Sequence, residues 1–275
     1  MKALDLFDLT GRVAIITGGT GLLGRQHAEA IASAGGIPVL ADVRPIDLDS
    51  KNLRWEERFG ASATVMHADI TQPSSIERLL AGVLDRYGRI DVLINNAANN
   101  PKMEKGGAVE FSRLESFPLE QWEADIGVGL TGAFLCSQIV GREMARRKRG
   151  VIINVASDLA VIAPDQRIYR QRGLADDQQP VKPVTYSVVK TALIGLTRYL
   201  ATYWADCGIR VNAISPGGVY NSQPEDFVQQ LTNLIPLRRM ANIDEYQAAI
   251  IFLCSDASSY MTGANLVIDG GRSCW

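Results

Sequence analysis

The stretch YSVVK places Tyr186 and Lys190 four residues apart. If this stretch is helical, the phenol and the ammonium lie on one face, within reach of a single bound molecule. A free phenol titrates near pH 10, so it acts as a base at neutral pH only if its pKa falls by about 3 units, or roughly 4 kcal/mol. A nearby ammonium in a low-dielectric cleft favours the phenolate. The pair therefore predicts proton transfer to or from a hydroxyl group.

The same pair also fits an ordinary exposed helix, because a Tyr four residues before a Lys arises by chance in roughly one of five chains of this composition. Ser157 favours the chemical interpretation, since it ends the apolar run VIINVAS. Tyr169 is the alternative tyrosine, but Gly173 stands where its cation would be needed. The predicted catalytic residues are thus Ser157, Tyr186 and Lys190.

Seven short β-rich runs alternate with segments of helix length, and they predict the elements that position those side chains. The runs are RVAIIT, IPVLAD, ATVMHAD, IDVLINN, GVIINVAS, IRVNAIS and NLVID. Such alternation is typical of a doubly wound parallel sheet, in which ligands bind beyond the carboxyl ends of the strands. The sequence therefore predicts a Rossmann-like α/β fold with about seven parallel strands, as a single nucleotide-binding domain over residues 1–275.

The turn after the first run, TGGTGLLG, predicts a phosphate site. Its small residues let the backbone approach a pyrophosphate, and a helix from about Leu22 would point free N–H groups at it. A tight turn that only packs a strand on a helix would look similar. The contacts predicted from this turn come from Gly18, Thr20, Gly21, Leu22, Leu23 and Gly24.

The ends of the next runs extend the predicted nucleotide site. Asp42 ends the second run, where a carboxylate accepts hydrogen bonds from the ribose hydroxyls and repels a 2′-phosphate, which favours NAD over NADP. Arg25 and Arg44 argue for NADP, because either could pair with that phosphate. Further contacts are predicted from Asp69 and the Ile70 backbone after the third run and from Asn95 to Ala98 after the fourth, in particular Asn96 and Ala97.

The segments GRVAIITGG, YSVVK, SPGGV and VIDGG together resemble the single-domain short-chain dehydrogenase/reductase family over essentially the whole chain. The resemblance implies that Ser157 holds the substrate oxygen and that Tyr186 is the acid/base. It implies that Lys190 binds the nicotinamide ribose and lowers the tyrosine pKa, so that both Tyr186 and Lys190 contact the cofactor. The residues implied to position the nicotinamide are Pro216, Gly217 and Val219.

Three positions depart from the family pattern. Gly129 stands where the family usually has an Asn thought to hold a water that links the lysine to solvent, so another polar group or a water is expected there. A Gly129→Asn variant is expected to keep activity. Asn221 replaces a common Thr, and Leu22 replaces a common Gly. The resulting glycine spacing matches longer members that epimerise or dehydrate nucleotide sugars, but their added C-terminal domain is not expected in 275 residues.

Two polar segments, near 99–118 and 163–184, are long for simple connections and are expected to form the rim of a substrate site. The second carries Arg167, Arg170, Arg172 and Lys182. These charges are either solvated, or Arg167 and Arg170 pair with an anionic substrate such as a sugar phosphate or nucleotide sugar. The chain is also similar to a bacterial flagellin-modification oxidoreductase subgroup, which implies a role in making sugars for surface glycans.

The favoured hypothesis is an NAD-dependent dehydrogenase acting on such a sugar derivative. An NADPH-dependent reductase of a carrier-bound 3-oxoacyl ketone and a nucleotide-binding subunit without turnover remain alternatives. A formal net charge of −2 gives no reason to expect nucleic acid or an anionic membrane as a partner. The four cysteines lack metal-ligand spacing, and no signal peptide or membrane span is apparent. A cytoplasmic, metal-free protein is therefore expected, and the family resemblance implies a homodimer or homotetramer.

Overall fold

A computed structural model describes residues 2–44, 64–99 and 112–275. Its seven strands are all parallel and form one sheet in the order β3-β2-β1-β4-β5-β6-β7. The predicted Rossmann-like sheet of about seven strands is thus confirmed. The strands are β1 (Val13–Thr17), β2 (Ile37–Asp42), β3 (Thr64–His67), β4 (Val92–Asn95), β5 (Gly150–Val155), β6 (Ile209–Pro216) and β7 (Asn265–Ile268).

Helices cover both faces of this sheet. Those that the described residues form are α1 (Leu22–Ser33), α2 (Pro73–Tyr87), α3 (Leu119–Ile126), α4 (Gly132–Arg146), α5 (Val184–Tyr203), α6 (Glu225–Thr232) and α7 (Gln247–Cys254). Helix α1 begins at Leu22, as the sequence predicts. Because the strands are covered on both faces, their side chains are apolar without interruption rather than alternately polar, as in VAIIT of β1.

Two apolar clusters fill the space between the sheet and its two helix layers. Successive residues of a strand point to opposite faces, so Ile15 packs in the cluster beneath α2, α4 and α5, while Ile16 packs in the cluster beneath α1 and α7. Both isoleucines are fully buried. The sheet is therefore packed on both faces, and its strands end at the edge that carries the predicted site.

Helices α3 and α4 are continuous through a wide helical turn, Gly127–Thr131, that contains Gly129. The run Leu119–Arg146 is long and apolar enough to cross a membrane by composition, and half of its most apolar window is buried. It packs within the domain, with α4 against α2, β4 and β5. These contacts are those of a core helix.

The segment after β5 forms one wall above the sheet. It contains three short 3-10 turns, Asp158–Ala160, Gln166–Tyr169 and Asp176–Gln178. Ile168 of the second turn is buried against Leu231 at the end of α6 and against residues that follow it. Most of the other segment predicted as a rim, near 99–118, lies outside the described residues.

Candidate active site

The phosphate turn between β1 and α1 requires glycine at several positions. Gly18 has φ +61°, in the left-handed region that glycine adopts readily. A Cβ on Gly24 would lie 2.3 Å from the Gly18 carbonyl oxygen, and one on Gly19 would lie 2.7 Å from Leu40 Cβ. Gly19 was not among the glycines expected from spacing, although it stands in the same motif. The turn therefore brings bare backbone to the end of β1.

The first turn of α1 completes this phosphate cradle. Gly21 is the N-terminal cap of the helix and its N–H bonds the Gly18 carbonyl. The N–H groups that follow, at Leu22, Leu23 and Gly24, belong to the first helical turn, where no intrahelical acceptor exists. Such a helix start attracts phosphate. The predicted residues thus lie together at one helix start of the kind that binds anions.

Asp42, at the end of β2, lies beside this turn and is held by two neighbours. Its carboxylate accepts hydrogen bonds from the backbone and hydroxyl of Thr20 and from the backbone and guanidinium of Arg44. Burial acts to raise the Asp42 pKa, but these bonds outweigh it and keep the pKa at about 2. Arg44 is thereby committed to Asp42 in this structure. Arg25 instead bonds the Thr20 carbonyl.

Residues after β3 and β4 support the cradle in different ways. Asn96 donates its side-chain amide to the carbonyls of Thr17 and Gly18 and so ties β4 to the phosphate turn. Ala97 packs on Gly18, where it leaves no room for a Cβ. Asp69 accepts a hydrogen bond from the Thr71 backbone beside Ile70. The ends of β3 and β4, where contacts with the nucleotide were predicted, thus lie next to the end of β2 and to the phosphate turn, respectively.

Asn95 points away from this edge, contrary to its expected place at the nucleotide. Its amide donates to Asn154 Oδ1 at 2.8 Å and to Ser137 Oγ at 3.0 Å. Asn154 in turn donates to Thr197 Oγ1. Because successive residues of β4 face opposite sides of the sheet, Asn95 joins a buried polar chain between β4, β5 and α5.

The loop after β6 is fixed by contacts with two distant segments. Gly217 donates its N–H to Ile268 at the end of β7, and its carbonyl accepts a hydrogen bond from the buried Tyr246 hydroxyl. Val219 pairs with Ala241 in an isolated parallel bridge. Gly217 and Val219 follow the buried Pro216 that ends β6, the strand next to β5, and their predicted contact with the nicotinamide stays a prediction.

The structure brings the three predicted catalytic residues together. Ser157 follows β5, and Tyr186 stands in the first turn of α5, close enough for the serine hydroxyl to oppose the rise that burial causes in the tyrosine pKa. Lys190, one turn further, is buried and donates from Nζ to the Val155 carbonyl at 2.7 Å. Burial lowers the Lys190 pKa to about 8 and raises that of Tyr186. The fold alone therefore opposes the phenolate, and neighbouring cations must stabilise it.

Gly129 lines a small cavity behind Lys190 and Tyr186. Its volume of about 10 Å³ is close to the least that holds one water. Asp125, one turn before Gly129, also lines the cavity, and its carboxylate accepts hydrogen bonds from Gln121 and Thr185. A carboxylate is therefore placed where the sequence left the polar group undetermined.

Ser157 is held by a buried ion pair that the sequence did not reveal. Its hydroxyl donates to Asp158 Oδ1 at 2.8 Å, and Arg272 Nη1 donates to Asp158 Oδ2 at 2.7 Å. Both charged side chains are at most 7% exposed. Asp158 is adjacent to the serine, so it was a candidate by position, but no spacing rule points to Arg272, which is 114 residues away.

The charged residues of the segment after β5 divide into two groups. Arg167 is 81% exposed and paired with Asp165, and Arg170 is 61% exposed and faces Asp176. Lys182, in contrast, lies with Nζ 3.8 Å from the centroid of the Tyr186 ring. From the sequence, Lys182 was identified only as one of several charges in this segment and was given no role at Tyr186. Its spacing of four residues from Tyr186, equal to that of Lys190, could have indicated one.

Comparison with known proteins agrees with this geometry. A family model described as "short chain dehydrogenase" matches residues 12–169, and one described as "Enoyl-(Acyl carrier protein) reductase" matches residues 174–273. An NAD-dependent glycerol dehydrogenase of Listeria innocua is 33% identical, with 96% of this chain and 95% of the relative covered. A D-threitol dehydrogenase of Mycolicibacterium smegmatis is 31% identical, with 96% and 94% covered.

A solved structure gives the same result. The gluconate 5-dehydrogenase of Burkholderia cenocepacia, in complex with NADP and tartrate, superposes with a TM-score of 0.82 at 29% identity, and all of both chains is covered. This chain is therefore an oxidoreductase with the fold of an NAD(P)-binding enzyme. It belongs to the short-chain dehydrogenase/reductase family.

Proposed function

We propose that this protein catalyses NAD-dependent, reversible oxidation of a secondary alcohol on a small polyhydroxy compound, a polyol or a sugar acid. The proximity of Ser157 and Tyr186, with Lys190 one turn further along α5, carries the proposal. Two similar proteins named as polyol dehydrogenases and one named as a gluconate dehydrogenase support the substrate class. Bound NAD would accept the hydride.

The cofactor fits the residues present, because the glycine turn leaves backbone space that a Cβ would fill. The turn and the start of α1 would hold the pyrophosphate, Asp42 the adenosine ribose, and Lys190 the nicotinamide ribose. The same carboxylate supports NAD over NADP, although Arg44 beside it would accept a 2′-phosphate if it left Asp42. The cofactor preference is therefore part of the proposal.

The side chains divide the acid/base chemistry between them. Ser157 would hold the substrate oxygen, and Tyr186 would take the hydroxyl proton as the carbon loses hydride. In the reverse direction Tyr186 would return that proton to the carbonyl oxygen. Asp158 accepts a hydrogen bond from the serine hydroxyl and, with Arg272, fixes its position.

A phosphorylated substrate remains a narrower form of the proposal. It rests on Arg167 and Arg170, which stand in the segment beside the site but are exposed and face carboxylates. A sugar phosphate would have to displace those partners, at a small cost because solvent screens exposed ion pairs. The flagellin-modification subgroup and a role in surface glycans stay predictions with it.

The decisive experiment supplies the purified protein with NAD or NADP and a panel containing glycerol, D-threitol, D-gluconate and sugar phosphates. Appearance of reduced cofactor is followed optically. Tyr186→Phe should lower kcat/KM by about 10²–10⁴-fold, the range of a lost acid/base. Tyr260→Phe is the matched control, because Tyr260 is fully exposed. Turnover that survives in Tyr186→Phe would reject the mechanism.

We also propose a cytoplasmic homo-oligomer. Phe134 on α4 and Val188, Tyr199 and Tyr203 on α5 are exposed apolar or aromatic side chains. A second copy that packs on these helices would bury them. Light scattering of the purified protein measures the assembly directly, and Tyr199→Glu with Tyr203→Glu should reduce it to a monomer.

A further inference from the structure

Tyr186 lies between two lysines at equal spacing. Lys190 follows it by four residues on α5, with Nζ 5.9 Å from the ring centroid. Lys182 precedes it by four residues, and its Nζ is closer, at 3.8 Å. Contacts of a cation with an aromatic face are favourable within about 6 Å. The tyrosine ring is therefore in range of two ammonium groups rather than one.

The local chain holds Lys182 in this position. Pro183 is the N-terminal cap residue of α5, and a residue before proline is confined to extended backbone. Pro180 and Pro183 are both buried, and the Lys182 N–H bonds Gln166 Oε1 at 2.8 Å. The backbone of Lys182 is thus fixed on both sides, which directs its side chain back over the first turn of α5.

Charged and titratable groups surround Tyr186 from several elements. Ser157 and Asp158 face it from the turn after β5, and Tyr169 from the segment that follows. Lys190 faces it from its own helix, and Arg272 neutralises Asp158 from the C-terminal segment. Within the described residues, the carboxylate that raises the pKa of Tyr186 is that of Asp158, and Arg272 already pairs with it.

Burial controls the protonation of the groups in this cleft. It lowers the pKa of Lys182 and of Lys190 to about 8 each, and the proximity of Lys182 contributes to the shift of Lys190. Both lysines are therefore mainly cationic at pH 7. A phenolate carries its negative charge partly on the ring, so an ammonium above the ring favours it over the neutral phenol.

We propose that Lys182 is a second cation of the catalytic tyrosine, which acts through the face of the Tyr186 ring to stabilise the phenolate alongside Lys190. This inference rests on the proposed function of Tyr186 as the acid/base. Lys182 is a positioning and electrostatic residue in this scheme, because it need not touch the substrate.

The test is the pH dependence of kcat/KM for oxidation of an uncharged polyol, D-threitol or glycerol, by the wild type and Lys182→Met. We expect the acidic midpoint to move up by about one pH unit and kcat/KM at pH 7 to fall about tenfold. At alkaline pH the two proteins should agree within about threefold, since Lys182 is then neutral in the wild type as well. Lys182→Arg should recover most of the shift.

Arg78→Met is the matched control, since it removes one exposed positive charge from α2, far from the phosphate turn and the catalytic residues in sequence. It should leave the midpoint unchanged. Equal losses for Lys182→Met at every pH, with an unmoved midpoint, would overturn the inference and indicate a structural role. A loss confined to D-gluconate, with the polyol profile unchanged, would also overturn it and make Lys182 a carboxylate-binding residue.

A second measurement separates this inference from the proposed function. The ultraviolet difference absorbance of tyrosinate is titrated in the NAD-loaded protein, and the curve of Tyr186→Phe is subtracted to isolate Tyr186. Lys182→Met should move the Tyr186 titration to higher pH even if no polyol in the panel is oxidised. An unmoved titration overturns the inference, whereas a moved titration without turnover rejects only the proposed substrate class.

Discussion

The two halves of the site are built from contacts of very different range. In the cofactor half, Asp42 is bonded by Thr20 and Arg44, at most 22 residues away along the chain. In the catalytic half, Arg272 reaches Asp158 across 114 residues, and Thr185 reaches Asp125 across 60. The phosphate turn itself follows from a strand, a turn and a helix in succession, and Asn96 adds one distant contact from the end of β4 to Thr17 and Gly18. The catalytic half exists only when the whole sheet has assembled.

This difference in contact range predicts how a single substitution affects each half of the site. Local backbone geometry forms the phosphate cradle, so single side chains there alter which cofactor is preferred. The catalytic half depends on a few buried, charged or tightly packed pairs, so a single change there affects folding as well as activity. Four substitutions test this contrast, from the largest expected effect to the smallest.

Arg272→Met should have the largest effect, because it leaves Asp158 as an unpaired buried charge beside Ser157. Loss of one partner of a buried pair costs about 3–5 kcal/mol, and urea unfolding measures this directly. Arg167→Met is the control, since its pair with Asp165 is exposed and its loss should leave the free energy of unfolding nearly unchanged. A double variant Arg272→Met, Asp158→Leu should recover part of the loss. Equal stability of the two single variants would contradict the contrast.

His27 provides a matching test in the cofactor half, where it is fully buried on α1. Burial lowers its pKa from 6.5 to about 4. The unfolded chain therefore binds this proton more readily, so stability falls as pH drops below about 6.5 and the penalty is about 3 kcal/mol near pH 4. Urea unfolding between pH 7 and pH 4 should show a shallower decline for His27→Leu. Parallel curves for the two proteins would refute this assignment.

Gly129→Asn tests the packing of the catalytic half. A Cβ at this position would lie 2.6 Å from Val189 Cγ1, and a helical valine has one strongly preferred rotamer, so it cannot turn away. The structure thus changes the expectation of unaltered activity to a destabilisation of about 1–3 kcal/mol. Gly129→Asn with Val189→Ala should restore both thermal stability and turnover. Full activity of the single variant would show that the helices separate easily.

Asp42→Ser should change cofactor choice more than stability. It removes the carboxylate that opposes a 2′-phosphate and releases Arg44 to pair with one. The ratio of kcat/KM for NAD to that for NADP should fall about tenfold, or roughly 1.4 kcal/mol. Adding Arg44→Met should reverse the gain with NADP. If the ratio of kcat/KM for NAD to that for NADP stays constant, Asp42 does not determine which cofactor is bound.

The strand order along the chain, the phosphate turn and the Tyr186–Lys190 pair could be predicted from the sequence, because each depends on residues that are close together along the chain. Apolar runs, the glycine turn before α1 and the Tyr186–Lys190 spacing each depend on residues within one or two turns of chain. Those patterns predict the seven strands and the start of α1, which the structure confirms, and the three candidate catalytic residues, which the structure places near one another. The side on which Asn95 lies was missed, because a one-residue difference along a strand reverses the face.

By itself the sequence determined the strand and helix pattern, the phosphate turn and the residue types of the catalytic helix, since these rest on periodicity and on backbone freedom at glycine. Only the tertiary structure decided which cations reach the tyrosine, that Arg272 neutralises Asp158 beside Ser157, and that Val189 occupies the space next to Gly129. The charges of a segment can be counted from sequence. Which of them is buried against a ring, and which stays in solvent, depends on the packing of elements that are distant along the chain.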